Sequence, residues 1–253
     1  MVFITGDTHG DFQRLSRRHF PIQKVMTGNN FVIILGDFGG IWAPEETKEE
    51  EYWLDWLNEN PFDTVFIDGN HENFDRLYHE FEVVNYHGGK AHKIRDRVYH
   101  LMRGELFDFE SKRFFAIGGA ETHDTDYILS KSSPGGLKHF KEVAKTLRKQ
   151  NIFYRVDGES WWHHELPSRK ELDHARQKLD EADWKVDYVL THCAPTSLFK
   201  PLNAVGIEPN ELTDFFDEIA KKLDFKNWFF GHHHIDLDVG MFKALYHDTI
   251  RIN

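Results

Sequence analysis

Val2-Phe3-Ile4-Thr5-Gly6-Asp7-Thr8-His9-Gly10 is a short apolar run that stops at a glycine and leaves an aspartate and a histidine just beyond it. The construction returns at Phe31-Val32-Ile33-Ile34-Leu35-Gly36-Asp37-Phe38-Gly39-Gly40, and again where Thr64 to Ile67 leads into Gly69-Asn70-His71-Glu72. Short apolar runs bounded by glycine read as buried strands. Helix-like stretches separate them. Asp11 to Phe20 is expected to be a helix. So is Glu45 to Asn60, where Pro44 precedes an acidic first turn and Tyr52, Trp53, Trp56 and Leu57 supply an apolar stripe. This rhythm predicts an α/β fold with a parallel sheet and helical crossovers. Ligands of such sheets bind beyond the carboxyl ends of the strands, where Asp7, Asp37 and Asn70 stand.

Two later segments follow the same plan. Tyr188 to Thr191 runs into His192-Cys193, and Trp228 to Phe230 runs into Gly231-His232-His233-His234. Val98 to Met102, Leu106 to Phe109 and Phe114 to Ile117 read as consecutive, partly antiparallel strands, and Asp238 to Ile252 as closing strands. The stretch from Gly119 to Asp183 reads differently. It holds the loop Ser132-Ser133-Pro134-Gly135-Gly136, a basic helix over about Leu137 to Gln150, the run Trp161-Trp162-His163-His164-Glu165, and a charged helix started by Pro167 and Ser168. Within a single domain spanning 1–253, residues 119–183 are expected to form an insertion or lid near the site.

Bulk properties narrow the function. The chain has 253 residues, 40% of them hydrophobic, with 22 Phe and 7 Trp, enough for a ring-rich core. A net charge of −11 argues against broad nucleic-acid binding, which relies on Lys and Arg neutralising phosphates. Cys193 is the only cysteine, so no intrachain disulfide is expected. No secretory leader and no apolar run of the ~18 residues needed for a membrane span is visible. A cytoplasmic location is expected.

Asp7, His9, Asp37, Asn70, His192, His232 and His234 offer oxygen and nitrogen donors and no thiolate. Seven donors exceed one tetrahedral zinc and suit two divalent ions sharing a carboxylate, for which Asp37 of the central motif is the natural bridge. Such a pair leaves residual positive charge for a phosphate oxyanion and acidifies a bridging water to hydroxide. His71, next to Asn70, is placed to face the leaving group as a general acid. Each motif alone is weak, and their joint occurrence at strand ends carries the reading.

The five motifs resemble the calcineurin-like metallophosphoesterase superfamily over most of the chain. Gly-Asp-x-His-Gly, Gly-Asp and Gly-Asn-His-Glu are most similar to the branch of serine/threonine phosphoprotein phosphatases and phage lambda-type phosphatases. Gly118-Gly119-Ala120, Trp161-Trp162 with Glu165, and Thr191-His192-Cys193-Ala194-Pro195 look like a bacterial and phage group. The resemblance implies a four-layer αββα sandwich with two mixed sheets. It implies one metal on Asp7, His9, Asp37 and His234, a second on Asp37, Asn70, His192 and His232, and His71 as acid. The phosphatases continue their second motif with an Asp-Arg pair, but Gly40 and Ile41 stand here, so the phosphate clamp and the partner of His71 come from elsewhere or are lacking.

Residues 119–183 supply candidates. One carboxylate near Glu121, His123 and Asp124 is expected to orient His71, with Asp124 the one to test. Arg155, Lys131 and His164 are candidates for phosphate or substrate, against the plainer reading of solvated surface groups. Trp161 and Trp162 stack on a substrate ring or anchor the insertion; the run from Lys138 to Lys149 reads as an exposed helix face, and Cys193 as a small buried residue. The leading function is phosphomonoester hydrolysis by attack of a metal-bridging hydroxide. Hydrolysis of a nucleotide or cyclic phosphodiester is the alternative, and a non-catalytic scaffold a lesser one. Manganese is the working metal, with iron, nickel, cobalt and zinc admitted by the same donors. Substrate identity and oligomeric state stay open.

Overall fold

The computed structural model describes residues 1–125 and 127–252. In chain order the first strands are β1 (Val2–Thr5), β2 (Phe31–Ile34), β3 (Asp63–Phe66), β4 (Glu82–Tyr86), β5 (Gly89–Arg95), β6 (Val98–Leu101), β7 (Glu105–Phe109) and β8 (Lys112–Ile117). They are followed by β9 (Ile128–Leu129), β10 (Arg155–Val156), β11 (Tyr188–Thr191), β12 (Asn227–Phe230), β13 (Leu237–Val239), β14 (Phe242–Ala244) and β15 (Thr249–Ile252). The helices are α1 (Lys48–Asn58), α2 (Phe74–His79), α3 (Gly136–Lys149), α4 (Arg169–Glu181) and α5 (Glu211–Ala220). One sheet runs β15-β1-β2-β3-β6-β5-β4 and the other β13-β14-β12-β11-β8-β7. Both are mixed: β1, β2, β3 and β6 run parallel, as do β8, β11, β12 and β14, while hairpins and β15 pair antiparallel.

Alternation along each strand explains the layering. Val2, Ile4, Phe31 and Ile33 point at the second sheet, where Phe114, Ala116, Leu190 and Phe229 meet them. The intervening Phe3, Val32 and Ile34 face Leu54 and Leu57 of α1. On the far side Phe115, Val189, Trp228 and Phe230 pack against Leu172, Ala175 and Leu179 of α4 and Phe215, Phe216 and Ile219 of α5. Helix, sheet, sheet, helix is the expected four-layer αββα order. Strands covered on both faces need no polar alternation, which is why they read as unbroken apolar runs.

Several local expectations are corrected. Asp11 to Phe20 is not a helix: only Phe12–Leu15 makes a 3-10 turn, burying Phe12 and Leu15 three residues apart. Arg14 there donates to the carbonyls of Asp7 and Tyr246, each at 2.8 Å. Helix α1 starts later than expected, because Thr47 and Glu50 form a capping box that fixes the start at Lys48. Its buried face is Glu50, Leu54 and Leu57, while Tyr52 is 60% exposed. The strands read as consecutive divide between the sheets, β6 going to the first and β7 and β8 to the second. The hairpin β4–β5 was not anticipated. Residues 119–183 include α4, whose apolar side is core, so the part outside the layers is shorter than expected: the ribbon of β9 and β10, and α3, which buries only Ala144 and Leu147.

Candidate metal centre

The carboxyl ends of β1, β2 and β3 from one sheet and β11 and β12 from the other meet at one rim. Asp7 and Asp37 are each 1% exposed there. The backbone N–H of His232 donates to both oxygens of Asp7, at 3.0 and 3.2 Å, and that of His71 donates to Asp37 Oδ1 at 2.8 Å. Nε2 of His234 lies 3.2 Å from Asp7 Oδ2, and Nε2 of His9 lies 3.7 Å from Asp37 Oδ2 and 3.0 Å from His234 Nε2. Ligand atoms of Asp7, His9, Asp37 and His234 all lie within 4.8 Å of one another. On the other side of Asp37, His192 Nε2 is 3.4 Å from Asp37 Oδ1 and 3.3 Å from Asn70 Oδ1. His192 Nδ1 donates to the Leu35 carbonyl at 2.6 Å, which turns Nε2 toward the site. The buried His232 ring sits 5.0 Å from that of His192. Six of the expected donors thus approach one another directly, with Asp37 between the two groups, and His232 stands beside them ring to ring with His192. Imidazole nitrogens aimed at carboxylates and at each other are a donor set that fits divalent cations.

Two features hold this crowding. His9, Asp37, His232 and His234 have φ of 45°, 46°, 64° and 49°, a left-handed backbone that L-residues adopt at a cost and that gathers at functional sites. Glycines let one motif touch the next. A Cβ on Gly69 would lie 2.1 Å from Asp37 Oδ1, and one on Gly231 would lie 2.1 Å from Asp7 Oδ1. Gly231→Ala is therefore expected to push Asp7 aside and weaken metal affinity by about 10–100-fold, the usual cost of disturbing a ligand's surroundings. Metal titration checks this, and unchanged affinity would show that Asp7 is no ligand.

The model for calcineurin-like phosphoesterases matches residues 1–236. The chain belongs to that family. A search of curated proteins found no match. Membership makes the protein a hydrolase of phosphate esters that works with divalent metal ions, and the residues gathered here suit that role.

Electrostatics in the phosphoesterase set the protons that a cation must displace. Burial lowers the His192 imidazole, but the charges of Asp37 and Asp7 outweigh it and leave the ring raised to about 10. Burial raises Asp37, yet His192 beside it holds the carboxyl below the usual range. The hydrogen bond to Asp7 raises His234, whereas burial lowers His9 and His232. At neutral pH, metal binding must expel the proton on His192, so apparent affinity is expected to rise with pH until about 10. Calorimetry in buffers of different ionisation enthalpy should show proton release, and its absence would mean that cations do not bind at His192.

Other expected residues of the phosphoesterase fall in mixed places. His71 lines a cavity of about 530 Å³ with Asp37, Asn70, Asp124 and His123. Its ring makes no hydrogen bond among the described residues, so Asp124 does not orient it by contact. Asp124 instead pairs with Arg155, which donates from Nε to Oδ1 at 3.2 Å and from Nη2 to Oδ2. His164 does not reach the cavity: its ring packs beside Phe74 and Tyr78, and its carbonyl accepts from Arg103 at 2.7 Å. Lys131 pairs with Glu159. Trp162 is an anchor, buried with Nε1 donating to Asp75 at 2.9 Å. Burial pushes the Cys193 thiol up to about 12, as suits an inert core residue.

Sequence reasoning missed the supports. Glu165 accepts from Thr122 N at 3.0 Å and from its hydroxyl at 2.9 Å, and that hydroxyl accepts from Asn70 Nδ2 at 3.2 Å. The chain turns the Asn70 amide so that Oδ1 faces His192. Glu72 Oε1 accepts from Phe38 N at 2.9 Å, binding the second and third motifs together. Asp68, fully buried, accepts from His100 at 3.0 Å and Arg103 Nε at 2.7 Å beneath the loop that carries Asn70 and His71.

Proposed function

We propose that this phosphoesterase is a dinuclear enzyme whose favoured substrates are phosphomonoesters. The observation that carries the reading is the convergence of Asp7, His9, Asp37 and His234 on one side of Asp37 with Asn70, His192 and His232 on the other. The cations, when bound, would polarise the phosphoryl oxygens and acidify a water. The protein's own part is positioning. Asp37 and Asp7 fix the charge, the Thr122–Glu165 pair aims Asn70, and His71, whose ring makes no hydrogen bond among the described residues, faces the cavity where, when protonated, it would give a proton to the leaving oxygen. Residues around β9, β10 and α3 would act as the lid, since Asp124 at the start of that segment lines the cavity. Manganese is the proposed assay metal. A reducing intracellular location is supported by the single, buried cysteine. Among the described residues, no helix is long and apolar enough to cross a membrane.

Phosphodiester hydrolysis is the second reading. It is favoured by a second depression, about 330 Å³, which meets the first at His71 and gives room for organic groups on both sides of a phosphorus. The manganese-reconstituted protein is tested on p-nitrophenyl phosphate and on its bis ester. A higher kcat/KM on the monoester supports the first reading, a higher value on the bis ester supports the second, and hydrolysis of neither removes both.

A further inference from the structure

The second depression is lined by His9, Gly39, Trp42 and His71. His9 belongs to the metal-binding group, but the Trp42 ring does not. Trp42 is half-buried. Its ring centroid is 6.2 Å from that of His71 and 5.7 Å from that of Trp162, with interplanar angles of 63° and 75°. Both neighbours meet it at steep angles, no described ring lies parallel to it, and the ring is part of the lining of the depression.

The wall is rigid. Trp42 N and Ala43 N donate to Glu50 Oε1 at 2.6 and 2.8 Å, and Asn73 Nδ2 donates to the Trp42 carbonyl at 3.1 Å. Arg76 pairs with Glu50 at 2.9 Å and donates to the Ala43 carbonyl at 3.0 Å. A buried ion pair spent on one loop leaves its ring little freedom to lose on binding. Gly39 opens the depression: a Cβ there would lie 2.4 Å from the backbone of Gly10, so this wall stays without a side chain. The polar side of the depression is the imidazoles of His9 and His71, and its other side is the Trp42 ring and the bare backbone of Gly39.

We propose that Trp42, with Gly39 as its floor, is a subsite for an aromatic ring on the leaving group of the phosphate ester. The proposal rests on the phosphoesterase reading, because it takes the leaving group to be the one beside His71. A ring stacked on Trp42 would bring the ester oxygen toward that imidazole.

The test is calorimetric and uses the full-length manganese-loaded protein. Naphthylmethylphosphonate, which cannot be hydrolysed at its carbon link, is compared with methylphosphonate. The wild type should bind the naphthyl ligand at least about tenfold more tightly, the size of one ring stack on an aromatic side chain. Trp42→Leu should lose about tenfold on the naphthyl ligand and less than about twofold on methylphosphonate, with Trp42→Phe keeping most of the preference. No preference in the wild type, or an equal loss on both ligands, overturns the subsite, and the wild-type comparison decides even if a variant fails to fold. Hydrolysis of p-nitrophenyl phosphate by the same preparation tests the underlying reading separately. Ring preference without hydrolysis leaves an aromatic-binding site at Trp42 but removes the phosphomonoesterase reading and with it the leaving-group role, whereas hydrolysis without ring preference removes the subsite alone.

Discussion

Asp37→Asn should strip the centre of metal and lower kcat/KM by about 10³-fold or more, since Lewis-acid stabilisation is worth several kcal/mol and each ~1.4 kcal/mol is tenfold. Asp37 is the one side chain shared by both donor groups, with Oδ1 3.4 Å from His192 and Oδ2 3.7 Å from His9. An asparagine keeps the shape but replaces one acceptor with an NH₂, and removes the charge that offsets the cations. The variant also changes the metal-free protein. Burial alone would lower His192, so losing Asp37 should bring the ring down from about 10. A raised histidine contributes stability that is fully present below its unfolded pKa of ~6.5 and is lost as pH rises through the folded value. The metal-free wild type should therefore lose stability between about pH 6.5 and 10, and the variant should show a flatter profile. Elemental analysis and urea unfolding at pH 6 and pH 9 measure both effects. A variant that holds its full metal complement and stays within tenfold of wild-type activity would remove Asp37 from the centre.

What the sequence disclosed follows from where each residue's partners lie. Strands β1, β2, β3, β11 and β12 were legible because burial on both faces leaves a continuous apolar signature. The donors were legible because each sits directly after such a strand, so chemistry and position agree within a few residues. The hairpin β4–β5 was faint because β4 is an edge strand with only Tyr86 buried, which leaves no periodicity to read. The expected helix after β1 failed because Phe12 and Leu15 satisfy the core within a single 3-10 turn. Helix α4 looked like part of an insertion because its composition is charged, yet three apolar residues on one side suffice to join a core already walled by α5.

Supports were harder still. Glu165 acts on Asn70 through Thr122, 43 residues of chain from Glu165 to Thr122 and 52 from Thr122 to Asn70, and no local pattern marks such contacts. Trp42 reads as one more aromatic in a ring-rich chain until the Glu50–Arg76 pair fixes its backbone beside His71. His164 misled for the opposite reason: a histidine in a polar run suggests a site, but its ring is claimed by Phe74 and Tyr78. Side chains that bind metal announce themselves by type, while those that aim them do so only by contact.

His71→Ala should lower kcat by about 10²–10⁴-fold on esters with poor leaving groups and leave metal content unchanged. The backbone N–H of His71 is spent on Asp37, at 2.8 Å, but its imidazole belongs to no donor group and opens to the cavities on both sides. Its ring stands 5.7 Å from that of His9, near the centre but outside it. Burial lowers His71 below the ordinary 6.5, Asp37 draws it back up, and the nearby Arg155 lowers it again. A lowered imidazole is a stronger acid that fewer molecules carry protonated at neutral pH. Rates on alkyl esters should accordingly fall as pH rises through a value under 6.5, and the variant should lack that limb. The p-nitrophenolate group needs no proton to depart, so on that ester the loss should shrink to tenfold or less as an order of magnitude. A series of aryl and alkyl phosphates, compared in wild type and variant, reads the trend directly. A uniform loss across the series would assign His71 to binding or positioning, and no loss on the poorest leaving groups would end its role as the acid.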